Sequence, residues 1–464
     1  MGIKFGTDGW RAVIADEFTF ANVARVAQAS ARVLQTTYPG EGIVIGYDHR
    51  FLAEEFAHHA ATTVSQLGIP VILAAVAAPT PAFSWAAKQL GCHGALVLTA
   101  SHNPPQYLGI KVKGGFGGSV PPEVTRQIEQ ALHHITPQSG PSRDPHRLDP
   151  WPSYLQQLAS QVDLRTILAS PATMWADAMH GSAGGGMGML LKKRIIGLRD
   201  DRDPLFGGMA PEPLPPQLAT TMAVIAQDPA PLKVGVVFDG DGDRIAAIDG
   251  QGNFLSPQIL IPILIDHLYR RRGKSGEIVK TVSGSQLIDR LAQHLGLPVT
   301  ETPIGFKYIA ERMLQTQVLL GGEESGGIGY ANHMPERDAM LSALLLLEAV
   351  AMTGQDLSHL YQNLQREMGF QSVYLRRDLH LRDPQQQQRV LAVLQQQPLS
   401  RIGERAVVGV DHRDGYKFWL AGQGWLMLRG SGTEPLLRLY CEAEDLETVQ
   451  TLLDWTVTWI HQFS

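Results

Sequence analysis

Apolar residues recur at helical spacing over residues 20–34, directly after Thr19, whose side chain suits a helix start. Residues 43–47 form a short unbroken apolar run instead. Helical spacing returns over 52–67, followed by an apolar run at 71–75, helical spacing at 81–90 and another apolar run at 94–98. Strand-length runs separated by single helices predict βαβ units and a largely parallel sheet. Periodicity stops over 133–152, HHITPQSGPSRDPHRLDPWP, and a domain boundary belongs there. Beyond it, 173–176 reads as a strand and HGSAGGG as a turn into a helix. A Pro-rich loop follows at 204–216, then a strand at 234–238. The greasiest run, 339–352, is broken by Ser342 and Glu348 and is too short to cross a bilayer, so it predicts a buried helix. Residues 425–428 and 436–440 read as strands. The expected layout is four units, at 1–150, 151–252, 253–369 and 370–464.

Composition narrows this picture. At roughly 100–200 residues per domain, 464 residues call for several cores. Lys+Arg 39 against Asp+Glu 45 gives a net charge of −6 without any run of five like charges; a nucleic-acid partner needs a basic face, so this balance disfavours nucleic acid as the main ligand. The two cysteines, Cys92 and Cys441, match no metal or redox spacing and exclude a disulfide scaffold. MGIKFGTDGWR lacks the apolar core of a secretory signal. The expectation is a cytoplasmic protein with no membrane partner. The glutamine tracts 385–388 and 395–397 are expected on one exposed helix, as solvation only.

Three apolar runs end in polar or glycine-rich loops: GALVL into TASHNP, VGVVF into DGDGDR, and VLL into GGEESGG. Ligands of open α/β sheets bind beyond the carboxyl ends of strands, so these loops are the candidates for chemistry. In DGDGDR, Asp239, Asp241 and Asp243 alternate with glycines and offer hard oxygen ligands for Mg²⁺ or Ca²⁺. An EF-hand is excluded, because Arg244 and Gly250 stand where it needs Gly and Glu. A strand ending in Asp-x-Asp also suits a haloacid-dehalogenase phosphotransferase, with Asp239 as nucleophile and Asp241 as acid/base, but that chemistry has no use for Asp243.

Ser101 leaves a strand beside His102, with Lys111 and Lys113 ten to twelve residues on, a fit for a phosphate carrier. Taken alone, such a serine is more often an N-cap or turn residue. The G-x-S-x-G elbow of a hydrolase is absent. Glu323, Glu324 and Ser325 lie between glycines and suit sugar hydroxyls, though a capped helix-entry loop has the same composition. In RGSGTEPLLRLY, Arg429, the backbone N–H groups of Ser431–Thr433, and Arg438 make a donor-rich nest for a phosphate dianion. GKS at 273–275 is no Walker A loop, since Leu268 stands where the first glycine belongs.

The segments FGTDGWR, TASHNP, DGDGDR, GEES and RGSGTEP, in this order over nearly the whole chain, resemble those of the α-D-phosphohexomutase family (phosphoglucomutases and phosphomannomutases). The resemblance implies an α/β fold of four domains around a central cleft: three related α/β mixed-sheet domains and a smaller α+β C-terminal domain. It implies Ser101 as the phosphoserine, with Asp239, Asp241 and Asp243 holding Mg²⁺ together with its phosphate oxygen. Arg11, Lys111 and Arg244 match positions lining the phosphoserine. Gly305 and Lys307, in TPIGFK, match a substrate-contacting loop. Glu323 and Ser325 match the sugar-specificity loop, and Arg429, Ser431, Gly432 and Thr433, with Arg438 nearby, match the loop gripping the non-reacting phosphate. His102 or Lys111 serves as acid/base.

Three positions depart from the family pattern. Leu108 stands where Asn is usual. Gly327 stands where dual-specificity and glucosamine mutases usually carry His, which favours the EES-type loop of glucose mutases. Arg337, in the expected substrate site, replaces a common Lys and keeps the charge but cannot give up a proton.

The expected activity is interconversion of glucose 1-phosphate and glucose 6-phosphate, with mannose phosphates as secondary substrates. It would run through a phosphoserine and a hexose 1,6-bisphosphate, with glucose 1,6-bisphosphate as activator and a monomer or homodimer as the working form. A glucose 1,6-bisphosphate synthase would share every motif, because motifs do not encode how fast an intermediate escapes. A non-catalytic sugar-phosphate sensor would not need both Ser101 and the aspartate trio.

Overall fold

The computed structural model describes residues 3–6, 8–135, 140–381, 383–430 and 436–463. The chain divides into two compact units, one of residues 1–279 and 305–360, the other of 280–304 and 361–464.

The first unit carries a seven-stranded sheet. Its middle is parallel, with Ile43–Tyr47 between Val71–Ala74 and Gly94–Leu98. The helices Ala53–Ser65 and Thr80–Gln89 link these strands, and Phe20–Thr37 leads into the first of them, capped by Thr19, which accepts from Asn22 N. The expectation of a largely parallel sheet needs correction. The strand Tyr107–Gly114 runs antiparallel to Gly94–Leu98 and to Trp10–Val13, so the sheet is mixed. This strand was hidden because its sequence, YLGIKVKG, places two lysines among the apolar residues, and both are fully buried. Leu108 lies on the same strand and is buried too. The unpatterned stretch 133–152 contains one short strand, His146–Leu148, which extends the sheet beside Val71–Ala74.

A second sheet of this unit pairs Thr173–Asp177 in parallel with Lys233–Phe238 and Ile195–Leu198. Ile245–Ile248 runs antiparallel on the far side of Lys233–Phe238, so the chain reverses through DGDGDR. Val318–Gly322 and Ile328–Tyr330 form an antiparallel pair that brackets the EES loop. The helix Ala339–Thr353 is buried over twelve consecutive residues, as the apolar run predicts. Among the described residues, no single helix is long and apolar enough to cross a membrane.

The second unit holds a six-stranded antiparallel sheet. The helices Pro384–Gln396 and Leu446–His461 contribute Val390, Leu394, Leu452, Leu453 and Ile460 to its core. Residues 280–304 pack separately, with Val282 and Ile304 against Trp425, Met427 and Tyr440. The glutamine tract corrects its assignment as mere solvation: Gln386 is buried and donates to Ile460 O at 3.2 Å.

Candidate active site

Ser101 follows the buried strand Gly94–Leu98 and adopts a left-handed backbone, φ +53°. Such a conformation costs a non-glycine residue about 1 kcal/mol and persists only where its surroundings enforce it. Here the serine is fully buried, and its hydroxyl donates to Asp239 Oδ2 at 2.7 Å. His102 Nδ1 lies 3.4 Å from the same Oγ.

Asp239 begins the turn out of Lys233–Phe238. Its Oδ1 accepts from the backbone N–H groups of Asp243 and Arg244 at 3.0 and 3.1 Å, which curls the loop around it. Gly240 is required at the next position, because a Cβ there would stand 2.4 Å from Ser101 O. The Asp241 backbone carbonyl accepts from Thr80 N at 2.9 Å, and its carboxylate accepts from the Thr80 hydroxyl.

The result is three buried carboxylates, Asp239, Asp241 and Asp243, with candidate ligand atoms within 4.8 Å of one another. Burial, and then the charges of Asp241 and Asp243, push the Asp239 carboxyl up to about 8. Burial pushes Asp241 the same way, but Lys111, Thr80 and Arg337 override it and hold that carboxyl well below the usual range. Asp241 Oδ1 and Asp243 Oδ1 are buried without a hydrogen-bond donor among the described residues. An oxygen-only donor set with two such atoms fits a hard divalent cation such as Mg²⁺.

Cations surround the trio. Lys111 Nζ contacts Asp243, lies 2.7 Å from Asp241 Oδ2 and 3.1 Å from Asp8 Oδ2. These carboxylates outweigh burial and raise its pKa above the ordinary lysine value. Arg337 contacts Asp8, lies 2.6 Å from Asp243 Oδ2 and reaches within 3.7 Å of Glu323 Oε2. Arg11 donates to Asn103 Oδ1 at 2.7 Å, and burial followed by the nearby charge of Arg244 lowers its pKa. Arg244 Nε has no hydrogen-bond partner among the described residues. Two neighbouring guanidiniums, one of them incompletely paired, make a place for an anion.

The EES loop joins this assembly through its backbone. Ile245 N donates to Gly326 O at 3.0 Å, and Gly327 bridges to Arg244. Glu323 is buried, which pushes its carboxyl up to about 7 although Arg337 opposes the shift. Ser325 is half-buried on the same loop. Gly305 (φ +137°) caps the helix Phe306–Gln315, and Phe306 lies under Arg337, its ring centroid 5.6 Å from the guanidinium carbon. Lys307 lies over the ring of Tyr308 at 5.3 Å.

In the second unit, Arg429 and Arg438 face each other across the pair Trp425–Gly430 and Leu436–Ala443. Arg429 Nε donates to Asp414 Oδ1 at 2.9 Å, and Asp414 Oδ2 also accepts from Ile304 N in TPIGFK. Arg438 Nε lies 3.8 Å from Asp378 Oδ2. Ser431, Gly432 and Thr433 lie outside the described residues.

Sequence reasoning passed over three participants. Asp8, inside FGTDGWR, links Lys111, Lys113 and Arg337. Glu336, beside Arg337, pairs with the buried Lys113 at 2.6 Å. Arg50 is bonded to the serine loop from beneath. The available signal was charge next to a fully apolar strand: Asp48 and Arg50 directly follow Ile43–Tyr47, the parallel neighbour of the strand that delivers Ser101.

Family models cover most of the chain. The phosphoglucomutase/phosphomannomutase alpha/beta/alpha domain I matches residues 2–139, domain II 152–252, domain III 256–368 and the C-terminal domain 382–457. A curated phosphoglucomutase/phosphomannomutase of Thermococcus kodakarensis is 27% identical, over 98% of this chain and 97% of its own length. A phosphoglucosamine mutase of Carboxydothermus hydrogenoformans is 27% identical, over 98% of each. Among solved structures, a putative phosphomannomutase from Thermus thermophilus is 35% identical with a TM-score of 0.88, over 99% of both chains. With all four domain models matched in order along its length, the chain belongs to the α-D-phosphohexomutase family of phosphosugar mutases.

Proposed function

We propose that this protein interconverts glucose 1-phosphate and glucose 6-phosphate, carrying the phosphoryl group on Ser101 and passing through glucose 1,6-bisphosphate. The observation that carries the reading is the Ser101 hydroxyl, 2.7 Å from Asp239 within a buried aspartate trio. In the first half-reaction the P–O bond to Ser101 Oγ breaks as a sugar hydroxyl oxygen bonds to phosphorus, and the hydroxyl proton passes to His102. The bisphosphate turns end over end, the Ser101 oxygen takes back the other phosphoryl group, and His102 returns the proton to the sugar oxygen that this group leaves.

Phosphoryl transfer is mostly positioning and electrostatics. Asp239, Asp241 and Asp243 would hold Mg²⁺, which when bound supplies positive charge to the transferring oxygens. Lys111, held between Asp8, Asp241 and Asp243, serves as a fixed ammonium rather than as the base. Arg11 and Arg244 flank the phosphoserine, while Arg429 and Arg438 take the phosphate that does not react. Glu323 and Ser325 accept sugar hydroxyls. The glucose assignment is supported by the EES loop and by Gly327, where any Cβ would stand 2.2 Å from Arg337 Cδ and leave no room for a histidine.

The test is formation of glucose 6-phosphate from glucose 1-phosphate and Mg²⁺, with and without catalytic glucose 1,6-bisphosphate. Mannose and glucosamine phosphates are run in parallel. Bisphosphate-stimulated turnover that is fastest on glucose 1-phosphate, and lost in Ser101→Ala, is the expected result. Faster turnover of glucosamine phosphate would overturn the sugar assignment, and accumulation of free bisphosphate would mark a synthase. An active Ser101→Ala protein would remove the phosphoserine.

A further inference from the structure

All five residues of the strand Ile43–Tyr47 are buried, and the chain leaves it with Asp48-His49-Arg50. Arg50 is fully buried, an arrangement that requires its charge to be paired and its donors filled. Nearly all of this is done by one loop. Nη2 donates to the carbonyls of Ser101 at 2.7 Å and Asn103 at 2.6 Å. Nη1 donates to the carbonyls of Pro104 at 3.0 Å and Tyr107 at 2.9 Å. Asp48 Oδ2 balances the charge from 3.4 Å, and the ring of Phe206 covers the guanidinium at 4.9 Å.

The residue at the centre of this grip is Ser101. Its carbonyl is held by Arg50 and its N–H by Thr99 Oγ1 at 2.9 Å. Both backbone polar groups of a residue in the disfavoured left-handed region are therefore fixed. The same carbonyl is the surface against which Gly240 of the aspartate loop packs, and Gly240 N donates in turn to Pro211 O at 3.2 Å. Phe206 and Pro211 belong to one Pro-rich loop, and Arg202, just before it, donates to Arg50 O at 3.3 Å. Arg50 thus stands where the nucleophile's loop and the carboxylate loop meet. A planar fork with fixed donors can hold four carbonyls in one arrangement, whereas a lysine ammonium has three donors on a flexible stem.

We propose that Arg50 is a positioning residue for phosphoryl transfer: its guanidinium is the template that fixes Ser101 Oγ against Asp239, without contact with the sugar or the transferred phosphoryl group. The proposal rests on Ser101 being the phosphoryl carrier. A displacement of about 1 Å at a reacting atom costs on the order of 10²-fold in rate.

The experiment compares wild type with Arg50→Lys and Phe206→Leu. It measures kcat and KM on glucose 1-phosphate, single-turnover phosphorylation of Ser101 by glucose 1,6-bisphosphate read from intact mass, and thermal unfolding. For Arg50→Lys the expected result is a folded protein whose kcat and Ser101 phosphorylation rate both fall about 10²-fold, with KM within about threefold of wild type. Phe206→Leu keeps every hydrogen bond but loosens the cover, and should lower kcat about fivefold with unchanged KM. This second variant decides the matter if Arg50→Lys fails to fold. Wild-type kcat in a folded Arg50→Lys protein, or in Phe206→Leu where the first does not fold, would overturn the proposal. So would a raised KM at unchanged kcat. A wild-type chain that phosphorylates Ser101 without turning over glucose 1-phosphate would remove the mutase reading and leave this one to stand on the phosphorylation rates. A chain that never carries phosphate on Ser101 removes both.

Discussion

Substituting Gly327 by alanine should be far more damaging than one methyl group suggests, and only because of Arg337. The backbone of Gly327 lies outside the left-handed region, so alanine is conformationally allowed and the conflict is steric. The new Cβ would stand 2.2 Å from Arg337 Cδ and 2.9 Å from its Cγ, where ordinary contact begins at 3.4 Å. These are stem atoms, so Arg337 must change rotamer and draw its guanidinium away from Asp8 and Asp243. Overpacking of this kind costs about 1–3 kcal/mol, and loosening a buried ion pair adds to it. We expect Gly327→Ala to lose about 3 kcal/mol in urea unfolding followed by tryptophan fluorescence, and about 10²-fold in kcat/KM. The discriminating measurement is the double-mutant cycle. In an Arg337→Ala background the same glycine substitution should cost about 0.5 kcal/mol or less, giving a coupling energy of at least about 2.5 kcal/mol. Equal costs in the two backgrounds would refute the reasoning and place the penalty elsewhere in the EES loop.

Three other outcomes follow from the site and its surroundings. Arg429→Ala should raise KM for glucose 1-phosphate at least about tenfold with a smaller change in kcat, since a grip on the non-reacting phosphate is made equally in ground and transition states; a loss confined to kcat in steady-state kinetics would contradict it. Because burial pushes the Glu323 carboxyl up to about 7, it gains a proton as pH falls through 7 and can no longer act as a two-oxygen acceptor, so KM should rise on the acid side of 7; that rise should be absent in Glu323→Gln, and a flat wild-type KM across this range would count against the assignment. Burial, and then Lys280, bring the Lys417 ammonium down to about 8 from 10.5, so its burial penalty is fully present below pH 8 and fades between 8 and 10.5; Lys417→Met should therefore stabilise the second unit by about 2 kcal/mol at pH 7, after the lost bond to Val282 O is counted, and the gain in thermal midpoint should shrink at higher pH.

What the sequence disclosed and what it concealed divide along a physical line. Elements with one dominant period were legible: the helix after Thr19, the strand Gly94–Leu98 and the buried helix Ala339–Thr353 stand where the apolar pattern puts them. The strand Tyr107–Gly114 was not legible, because Lys111 and Lys113 look like solvent-facing residues until their partners are known. Those partners, Asp8, Asp241, Asp243 and Glu336, come from distant segments of the chain, and no local pattern announces them. Gln386 misled in the same way, since its buried amide donates to a carbonyl near the end of the last helix.

The same division explains which site residues could be found. Ser101 and the three aspartates project their reactive groups from loops, and loops with Ser-His or alternating Asp and Gly are visible as composition. Arg50 projects nothing toward a ligand. Its four acceptors are backbone carbonyls, which every sequence possesses, so its role is written in the path of the chain rather than in the identity of its partners. Arg337 lies between these cases. Its charge marks it in the sequence, but its placement against Glu323 depends on the missing side chain at Gly327, so the two departures from the family pattern are one structural feature. A histidine at 327 would require Arg337 to leave the space its stem occupies, and an arginine held where it is requires glycine at 327. Replacing Gly327 by histidine therefore requires a change at Arg337 as well.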